Sequence, residues 1–568
     1  MTAPRAVRVV TEVAAVDRAF DYAVSESTTQ VAPGDRVRVN FNHRSVRGWV
    51  VADVESDREL KPLVKWLGFG PPSRLLDLLE WASARWCGPL SRFLLAASPH
   101  RLVTTLPAPP PKAVLDPSVA SHALRLPAGV IQLAPTTDPL ALVLGAYEAA
   151  RAREGSLLVL VPTEAWARRL GGRLEQRGCA VACGEAQWDR MRVGWPVVVG
   201  ARGTALAPVP RVGAAVVIDA DDEAYRSTAT PTWDALTMVR ERCARDDAPL
   251  WMTSVIPSPV LLDGRPFQRD ENLVGGWPRV EVIDRRVSDP RDGALSQAAL
   301  LAAHRGLAGS EAVAVVVVLQ RLGRGRLFAC RKCGELARCA ICAQPEEEVG
   351  SQLACAEGHV RRENFCRSCG ATNLRRVRVG VTSLARDVAA QLSQPVSEVT
   401  AASDAGAGFE RVVVGTEAIF QRVRRCSVVI FVDFDMYLLA PRESAGRSAV
   451  VAVAKAGRLV GSRREGRGSV VLQTRRGEDD VVRSVVDARF DALIDADVQT
   501  ASLLGLPPYG ALAEVSGEGA SAFVAALTGG VRVTESNGVF TVRATDQSSL
   551  SQALGAVDPV AKVRLALW

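Results

Sequence analysis

The sequence is short of lysine and of long apolar runs, and both scarcities exclude classes of function. Only six lysines stand among its 69 basic residues, at positions 61, 65, 112, 332, 455 and 562. None of them follows a glycine, so the chain contains no Gly-x-x-x-x-Gly-Lys loop of the kind that cradles nucleotide phosphates. The longest apolar runs, such as Ala312–Leu319 and Val428–Val432, have the length of strands and are too short to cross a membrane.

The N-terminus, Met-Thr-Ala-Pro-Arg, lacks the apolar segment of a secretory signal, so we expect a cytoplasmic protein without a membrane partner. A length of 568 residues allows three or four domains, and 48% hydrophobic with 23% charged residues is typical of a soluble globular chain. The net charge of +7 permits a nucleic-acid partner without requiring one. Arginine carries most of this positive charge. A GC-rich genome would also produce an excess of arginine over lysine.

What the chain does have is a cluster of cysteines between positions 330 and 369. Seven thiols and one imidazole fall into four pairs: Cys330-x-x-Cys333, Cys339-x-x-Cys342, Cys355-x-x-x-His359 and Cys366-x-x-Cys369. Two-residue gaps let both sulfurs of a pair reach one metal, so the spacing predicts two tetrahedral structural zinc ions. Gly334 and Gly370 supply the flexible residue that tight knuckles favour. The alternative interpretation, free or disulfide-bonded cysteines, fits a cytoplasmic chain poorly.

Two details of the cysteine pattern stay open. In the third pair Gly358 occupies the two-residue gap, so His359, one place further on, is the best fourth ligand of the second zinc; otherwise that site is three-coordinate or completed by water. The remaining cysteines are scattered and are interpreted as small core residues: Cys87, Cys179, Cys183, Cys243 and Cys426.

The N-terminal hundred residues predict a β-rich domain. Apolar alternation and turn signals such as Pro33-Gly34-Asp35 indicate strands at Val7–Val13, Phe20–Val24, Arg36–Phe41 and Arg47–Val54. One or two helices are expected at 74–97, and the proline-rich stretch from Pro107 to Lys112 marks a linker.

Beyond residue 128, apolar runs alternate with helical segments, which predicts two parallel α/β lobes. The expected strands of the first lobe are Val130–Ala134, Ser156–Pro162, Val197–Gly200, Ala214–Asp219 and Leu250–Ser254. Those of the second are Ala312–Leu319, Val377–Thr382, Arg411–Gly415, Val428–Asp433 and Val470–Thr474. We expect a multidomain α/β protein with a β-rich domain at 1–105, a linker at 106–127, lobes at 128–276 and 277–485, a zinc insertion at 328–372 and an α+β domain at 486–568.

This order of domains resembles the primosomal protein N′ (PriA) family of replication-restart DNA helicases. The motifs that carry the resemblance are Phe20-Asp21-Tyr22 followed by Pro33–Val39, Gln320-Arg-Leu-Gly323 leading into Cys330, Val412–Glu417, Val471–Thr474 and Leu504-Gly-Leu-Pro-Pro-Tyr-Gly510. The resemblance covers nearly the whole chain, but the family's winged-helix module has no room between Lys112 and the first lobe.

The resemblance implies ligands and a DNA site. A nested arrangement would give the first zinc Cys330, Cys333, Cys366 and Cys369, and the second Cys339, Cys342, Cys355 and His359. The family's N-terminal domain holds the 3′ end of a nascent strand in a pocket that maps onto Phe20, Asp21, Asn42 and Lys61. Phe20 would stack on the terminal base, Asp21 would accept a hydrogen bond from the 3′-hydroxyl, and Lys61 would attract phosphate. Alternatively, Phe20 is a core residue and Asp21 a turn residue.

The family's ATPase site does not carry over. Its phosphate loop maps onto Leu133–Leu140, which has no lysine and places Asp138 near the phosphate position. Its Asp-Glu-x-His element is reduced to Asp219-Ala220-Asp221-Asp222, and its last helicase motif to Lys455-Ala-Gly457-Arg458. We therefore expect a degenerate form without nucleotide-binding or catalytic residues, as in sequences of the high-GC, actinobacterial type. The acidic run Asp219–Glu223 could bind a divalent metal, although a solvated turn is the simpler interpretation.

Three functions remain open at this stage. The first is a DNA-binding replication-restart protein that recognises forks, single-strand/double-strand junctions and 3′ ends. Its partners would be primosome and replicative helicase-loading proteins and single-stranded-DNA-binding protein. The second is an active ATP-dependent 3′→5′ helicase, and the third a zinc-stabilised scaffold with little DNA binding. Basic residues around the cysteines (Arg331, Lys332, Arg338, Arg361, Arg362 and Arg367) suit either DNA or a protein, or simply form a solvated face.

Overall fold

The structure is a computed structural model. It describes residues 5–13, 18–110, 126–289, 292–320, 328–333, 335, 337–341, 346–349, 352–355, 358–376, 381–400, 403, 409–440, 442–557 and 563–567. The chain forms two compact units: the first comprises 1–131, 138–268 and 500–568, and the second 132–137 and 269–499. The multidomain α/β fold class is confirmed. The finer boundaries inferred from the sequence stay predictions, and most of the 106–127 linker lies outside the described residues.

The N-terminal domain is a curled antiparallel sheet. Its strands are β1 Ala6–Thr11, β2 Ala19–Ala23, β3 Arg36–Phe41, β4 Arg44–Val54 and β5 Lys65–Gly68, in the spatial order β2-β1-β4-β3-β5. The backbone of 61–64 hydrogen-bonds to two strands of this sheet. Leu63 N–H donates to Ala23 O in β2, and Val64 N–H donates to Arg38 O in β3, each at 2.9 Å. The sheet therefore closes almost into a barrel around alternating valines.

Two amphipathic helices, Ser73–Arg85 and Leu90–Ala97, follow this sheet. The first buries leucines at helical spacing along one face (Leu75, Leu76, Leu78 and Leu79) and therefore packs as a core helix. Fully buried Trp49 ties the sheet to the second helix, since its Nε1 donates to Ser98 Oγ at 2.8 Å.

The first lobe is built on a seven-stranded sheet. Its strands are β6 Gly129–Gln132, β7 Ser156–Leu160, β8 Val181–Cys183, β9 Val197–Gly200, β10 Val212–Val217, β11 Leu250–Ser254 and β12 Phe267–Arg269, in the order β12-β6-β11-β10-β7-β9-β8. β10 runs parallel to β7 and β11, and β9 runs parallel to β7 and β8. Helices lie at Leu140–Ala152, Glu164–Glu175, Trp188–Arg192, Ala235–Asp246 and Pro259–Leu262. All five strands expected from the sequence are present.

The second lobe and its insertion carry eleven strands within the described residues. They are β13 Arg279–Asp284, β14 Val315–Val318, β15 Phe328–Cys330, β16 Glu346–Val349, β17 Gln352–Cys355, β18 Arg361–Glu363, β19 Leu374–Arg376, β20 Val396–Val399, β21 Val412–Gly415, β22 Val428–Phe431 and β23 Ser469–Thr474. The lobe's sheet has the order β13-β23-β22-β14-β21-β20 and parallel pairing. Its helices are Gln297–Leu307, Val381–Leu392, Ile419–Arg422, Asp435–Leu438, Ala445–Val460 and Asp480–Asp487.

One strand expected in this lobe is wrong. The alternating valines of Val377–Thr382 indicated a strand, but a helix begins at Val381, and 377–380 lie outside the described residues. The helix runs Val381–Leu392 and buries Leu384, Val388 and Leu392 at a spacing of four residues. This helical spacing outweighs the alternating valines that lead into the helix.

The C-terminal part returns to the first unit. Helix Asp491–Leu504 leads into a four-stranded antiparallel sheet with the order β25-β26-β24-β27 and helices at Ala520–Ala525 and Gln547–Gly555. Its strands are β24 Ala511–Ser516, β25 Arg532–Ser536, β26 Val539–Ala544 and β27 Arg564–Leu567. One continuous apolar cluster joins this sheet, the first lobe and the N-terminal helices. No helix among the described residues is long and apolar enough to cross a membrane.

Candidate metal centres and nucleic-acid interface

The first cysteine cluster has the geometry of a four-thiolate metal site. Cys330 Sγ lies 3.5 Å from Cys369 Sγ, and Cys333 Sγ lies 3.5 Å from Cys366 Sγ. All four sulfurs fall within 4.8 Å of one another. Thiolates on a tetrahedral zinc with Zn–S bonds of about 2.3 Å stand about 3.8 Å apart, so the four sulfurs fit one such ion.

Local backbone structure explains how residues nearly forty positions apart meet. The strands that enter and leave the insertion, β15 and β19, pair antiparallel with Cys330 opposite Leu374. This pairing brings the knuckle after β15 beside the knuckle before β19. Gly370 has φ +70°, a conformation that glycine adopts without strain, and its N–H donates to Cys366 O at 2.9 Å. Gly334, expected in the same role, lies outside the described residues.

The surroundings of Cys330 favour the thiolate that a metal needs. Burial raises the pKa of the Cys330 thiol, but backbone N–H groups of Cys333 and Lys332 and the neighbouring thiols outweigh it and lower the pKa to about 7. Burial and the same neighbouring thiols raise the pKa of Cys333 to about 12, so the cluster keeps protons that a bound metal would displace. The N–H of Lys332 reaches Cys330 Sγ at 3.3 Å, the contact typical of a metal-binding knuckle.

A second group comprises Cys339, Cys355 and His359. His359 Nδ1 lies 3.8 Å from Cys355 Sγ, and Gly358 between them has φ +74°. The longer Cys-x-x-x-His spacing therefore still brings both ligand atoms together. The fourth expected ligand, Cys342, lies outside the described residues, so the complete set stays a prediction.

A buried ion-pair network braces the two cysteine groups. Glu346 in β16 is fully buried and accepts hydrogen bonds from Arg362 Nε at 3.0 and 2.9 Å and from Arg367 at 3.4 Å. Arg362 also donates to Glu363 O at 3.2 Å and stacks on Phe365. β16 pairs with β17, which places Glu346 opposite Cys355. Arg362 and Arg367 were expected only as part of a basic face, and Glu346 was not expected as their partner, since three consecutive glutamates indicate a solvated strand.

In the N-terminal domain, Phe20 is a half-buried residue at the edge of the β-core. Its ring lies 4.9 Å from the ring of Phe41 at an interplanar angle of 55°, and the Arg18 guanidinium lies 4.9 Å from the Phe20 ring centre. Two rings and a cation form a platform suited to stacking on a base. Phe41 was missed from the sequence, although its position before the Asn42-His43 turn is a usable signal.

The structure separates Asp21 from Phe20. Arg8 and Asp21 are opposite each other on β1 and β2, and Arg8 holds the carboxylate with contacts of 2.9 and 3.3 Å. Because side chains alternate along a strand, Asp21 faces away from Phe20. The other two expected pocket residues are exposed: Asn42 follows Phe41 directly with φ +45°, and Lys61 lies beside the end of β2, where its carbonyl accepts from Ala23 N–H at 3.0 Å.

The segment onto which the family's phosphate loop maps, Leu133–Leu140, makes contacts with other residues of the protein. In the first unit, Asp138 Oδ1 accepts from Leu140 N–H at 3.1 Å, at the start of helix Leu140–Ala152, and from Arg173 at 3.0 Å. Burial raises the pKa of Asp138, but the Arg173 pair and the backbone bond outweigh it, so the net pKa is lowered. A carboxylate therefore stands at the helix N-terminus, the position that favours an anion. In the second unit, Thr136 donates to Gly276 O at 2.7 Å.

Two further motifs have structural roles. Asp221 accepts from Ser258 N–H at 3.2 Å and Asp222 from Ala224 N–H at 2.9 Å, so both carboxylates support turns at the strand end. On helix Ala445–Val460, a Cβ at Gly457 would meet Pro278 at 2.8 Å, so this glycine permits close packing.

Comparison with known proteins assigns the N-terminal domain. Residues 8–99 match the family 3′DNA-binding domain (3′BD) of PriA. The probable replication restart protein PriA of Mycobacterium tuberculosis is 26% identical over 575 residues, covering 88% of this chain and 85% of that protein. The chain is therefore similar to replication restart protein PriA over most of its length.

The match to a PriA from a different bacterium covers less of the chain. Replication restart protein PriA of Treponema pallidum is 25% identical over 387 residues, and the match spans 58% of this chain and only 56% of that protein. A solved structure of yeast Dbp5 bound to RNA and ADP BeF3 aligns with 77% of this chain and 98% of its own, at 12% identity and a TM-score of 0.35, which is too low to carry an argument. The fold assignment therefore rests on the two parallel sheets themselves.

Proposed function

We propose that this protein binds forked or branched DNA with a free 3′ end and helps to reload the replisome during replication restart, without hydrolysing ATP. The observation that carries the proposal is the 3′DNA-binding domain match at 8–99, within which Phe20 and Phe41 form an aromatic platform. Its partners would be DNA, primosome and helicase-loading proteins and single-stranded-DNA-binding protein, in the cytoplasm where the chromosome lies. Two structural zinc ions would hold the cysteine module together.

The contacts of three aspartates and the identity of residue 220 support the absence of ATP turnover. The Asp138 carboxylate, held by Arg173, stands where a helix N-terminus would otherwise take phosphate. Asp221 and Asp222 serve backbone N–H groups. Ala220 stands where the family's glutamate would activate water.

A fork-binding titration tests the proposed DNA site. We expect the zinc-loaded protein to bind a fork with a 3′-hydroxyl leading-strand end about tenfold more tightly than the same fork with a 3′-phosphate, and more tightly than plain duplex. Phe20→Ala should weaken fork binding by about 1–3 kcal/mol, the energy of one stacked base. Fluorescence anisotropy at several salt concentrations would measure both effects.

The role of Asp21 separates two versions of this pocket. If the carboxylate still reads the 3′-hydroxyl from within its ion pair with Arg8, Asp21→Asn should abolish the preference for hydroxyl over phosphate. Asp53→Asn is the matched control, because Asp53 forms a similar exposed pair with Arg5 at 2.8 Å in the same domain. Equal behaviour of Asp21→Asn and Asp53→Asn would remove Asp21 from the site. Equal weak binding of wild type to all three DNAs would favour the scaffold alternative.

The second prediction is that the protein releases no phosphate from ATP, with or without fork DNA. Asp138→Ala should not restore turnover, because no lysine is present to bind the phosphates even when the helix N-terminus is freed. A phosphate-release assay on both proteins checks this. If DNA stimulates phosphate release by the wild type and Asp138→Ala changes that release, the helicase alternative is established. Phosphate release that responds neither to DNA nor to Asp138→Ala would indicate a contaminating ATPase.

A further inference from the structure

Three polar residues follow the carboxyl ends of neighbouring strands in the second parallel sheet. Val318 of β14 aligns with Phe431 of β22, and Phe431 aligns with Leu472 of β23. Two positions beyond these residues come, in spatial order, Gln320, Asp433 and Thr474. The pairing of β14 with β22 continues past Phe431, because Val432 N–H donates to Val318 O at 3.2 Å. Neighbouring strands lie about 4.8 Å apart, so Gln320 and Asp433 are neighbours in one polar row at this edge.

One end of this row is satisfied by the protein. The Thr474 hydroxyl donates to Asp435 Oδ1, and the two carboxylate oxygens of Asp435 accept from the backbone N–H of Arg475 at 3.2 and 3.0 Å. Asp435 is buried with all its acceptors engaged. The Thr474 end of the row therefore has its hydrogen-bond partners within the protein.

The rest of the row is different. Gln320 Oε1 and Asp433 Oδ1 are both buried, and neither oxygen has a hydrogen-bond partner among the described residues. These two acceptors follow adjacent strands at matching positions. Leaving a buried acceptor unpaired is costly, so two neighbouring ones indicate an occupant that supplies the missing contacts.

The topology of the sheet places this pair at a ligand-binding position. From β14 the chain proceeds to β20 and β21 on one side, and then to β22 and β23 on the other. The order therefore reverses at β14, whose carboxyl end carries Gln320 beside Asp433. In open parallel sheets, ligands bind at the carboxyl ends of strands at such a switch point.

Charge determines the class of occupant. Burial and the charge of Asp435 together raise the pKa of Asp433 to about 6, against the opposing effects of Arg475, Arg285 and the backbone N–H of Asp435. The Asp433 carboxylate is thus incompletely neutralised by its protein neighbours, and a cationic occupant offsets the deficit.

We propose that Asp433 and Gln320 bind a hard divalent cation of the Mg²⁺ type at the carboxyl edge of β14 and β22. The donors are a carboxylate and an amide oxygen, the ligands such ions prefer, and a gap of about 4.8 Å between strands lets one ion with bonds of about 2.1–2.5 Å contact both. Water completes the coordination shell. This site is distinct from the thiolate clusters, whose soft ligands select zinc, and it goes beyond the DNA-binding function.

Mn²⁺ is the probe for this site, because it is paramagnetic and takes the same ligands. Zinc-loaded full-length protein is titrated with Mn²⁺ and free ion is measured by electron paramagnetic resonance. We expect one bound Mn²⁺ that Mg²⁺ displaces, at least tenfold weaker binding in Asp433→Asn, and an intermediate loss in Gln320→Leu. Asp222→Asn is the matched control, since Asp222 lies in an acidic turn at the edge of the other sheet but its carboxylate caps Ala224 N–H.

A thermal-melting experiment gives an independent readout. Millimolar Mg²⁺ should raise the melting temperature of wild type and Asp222→Asn but not of Asp433→Asn, which should itself be at least as stable as wild type in chelator because it lacks the buried charge. Unchanged Mn²⁺ affinity in Asp433→Asn, loss in Asp222→Asn alone, or no bound Mn²⁺ in wild type would each overturn the proposal.

Discussion

Replacing Cys366 by alanine is expected to release one zinc ion from each chain and to open the base of the cysteine-rich insertion, where β15 and β19 pair, while the rest of the protein stays folded. Among the described residues, the apolar core of the insertion is very small: Phe328, Ala337 and Leu353 are buried, with Leu374 packed against them. Such a core cannot offset the conformational entropy of the segment, so the metal must supply the stability. Structural zinc contributes about 10–16 kcal/mol in comparable small modules.

Elemental analysis should show about two zinc ions in wild type and about one in Cys366→Ala, with rapid hydrogen exchange at 328–333 and 366–376. Cys179→Ala is the control, because Cys179 is a buried cysteine outside both clusters. Retention of two zinc ions in Cys366→Ala, or equal loss in the control, would contradict the four-thiolate site. Cys342→Ala and His359→Ala compared in the same assay would identify the fourth ligand of the second ion.

The second large effect is expected for Glu346→Ala. This change leaves Arg362, whose side chain is only 10% exposed, without its buried carboxylate partner. Removing one member of a buried pair costs about 3–5 kcal/mol, because the remaining charge is desolvated and uncompensated. The insertion should then open locally and release zinc to a chromogenic chelator much faster than wild type does, as measured by stopped-flow absorbance.

The control for Glu346→Ala lies on the same small sheet. Glu363 accepts from Gln352 at 2.8 Å at an exposed position, so Glu363→Ala should change stability by less than about 0.5 kcal/mol. If both variants lose zinc at the same rate, the buried network does not brace the module. If Glu346→Ala behaves as wild type, the ion pair contributes nothing net to stability.

Sequence reasoning succeeded where burial imposes a simple pattern. The all-valine strand Val315–Val318 lies between two other strands and under helices, so its continuous apolar run follows directly from its environment. The three-residue strands Val181–Cys183 and Phe267–Arg269 were missed, because pairing with a neighbouring strand, rather than local preference, defines them. The strand predicted at Val377–Thr382 was wrong, because the alternating valines there lead into a helix whose buried residues recur every four positions.

Side-chain partners distant in sequence were the least predictable part of the sites. Glu346 is recognised as a core residue only once Arg362, sixteen positions away, is seen to reach it. The ion pair of Arg8 and Asp21 is likewise set by β-pairing. The separation of Phe20 from Asp21 was in principle available, since residues adjacent in a strand point to opposite faces.

The shared apolar core of the first unit has a consequence for biosynthesis. Ser551 donates to Arg85 O at 2.8 Å across 466 positions, and helix Gln547–Gly555 packs on helix Ser73–Arg85. The ribosome makes the first of these helices long before the second, so the face of Ser73–Arg85 stays uncovered through most of translation. The first unit completes its core only after residues 511–567 emerge, and a nascent chain is therefore exposed to aggregation until then.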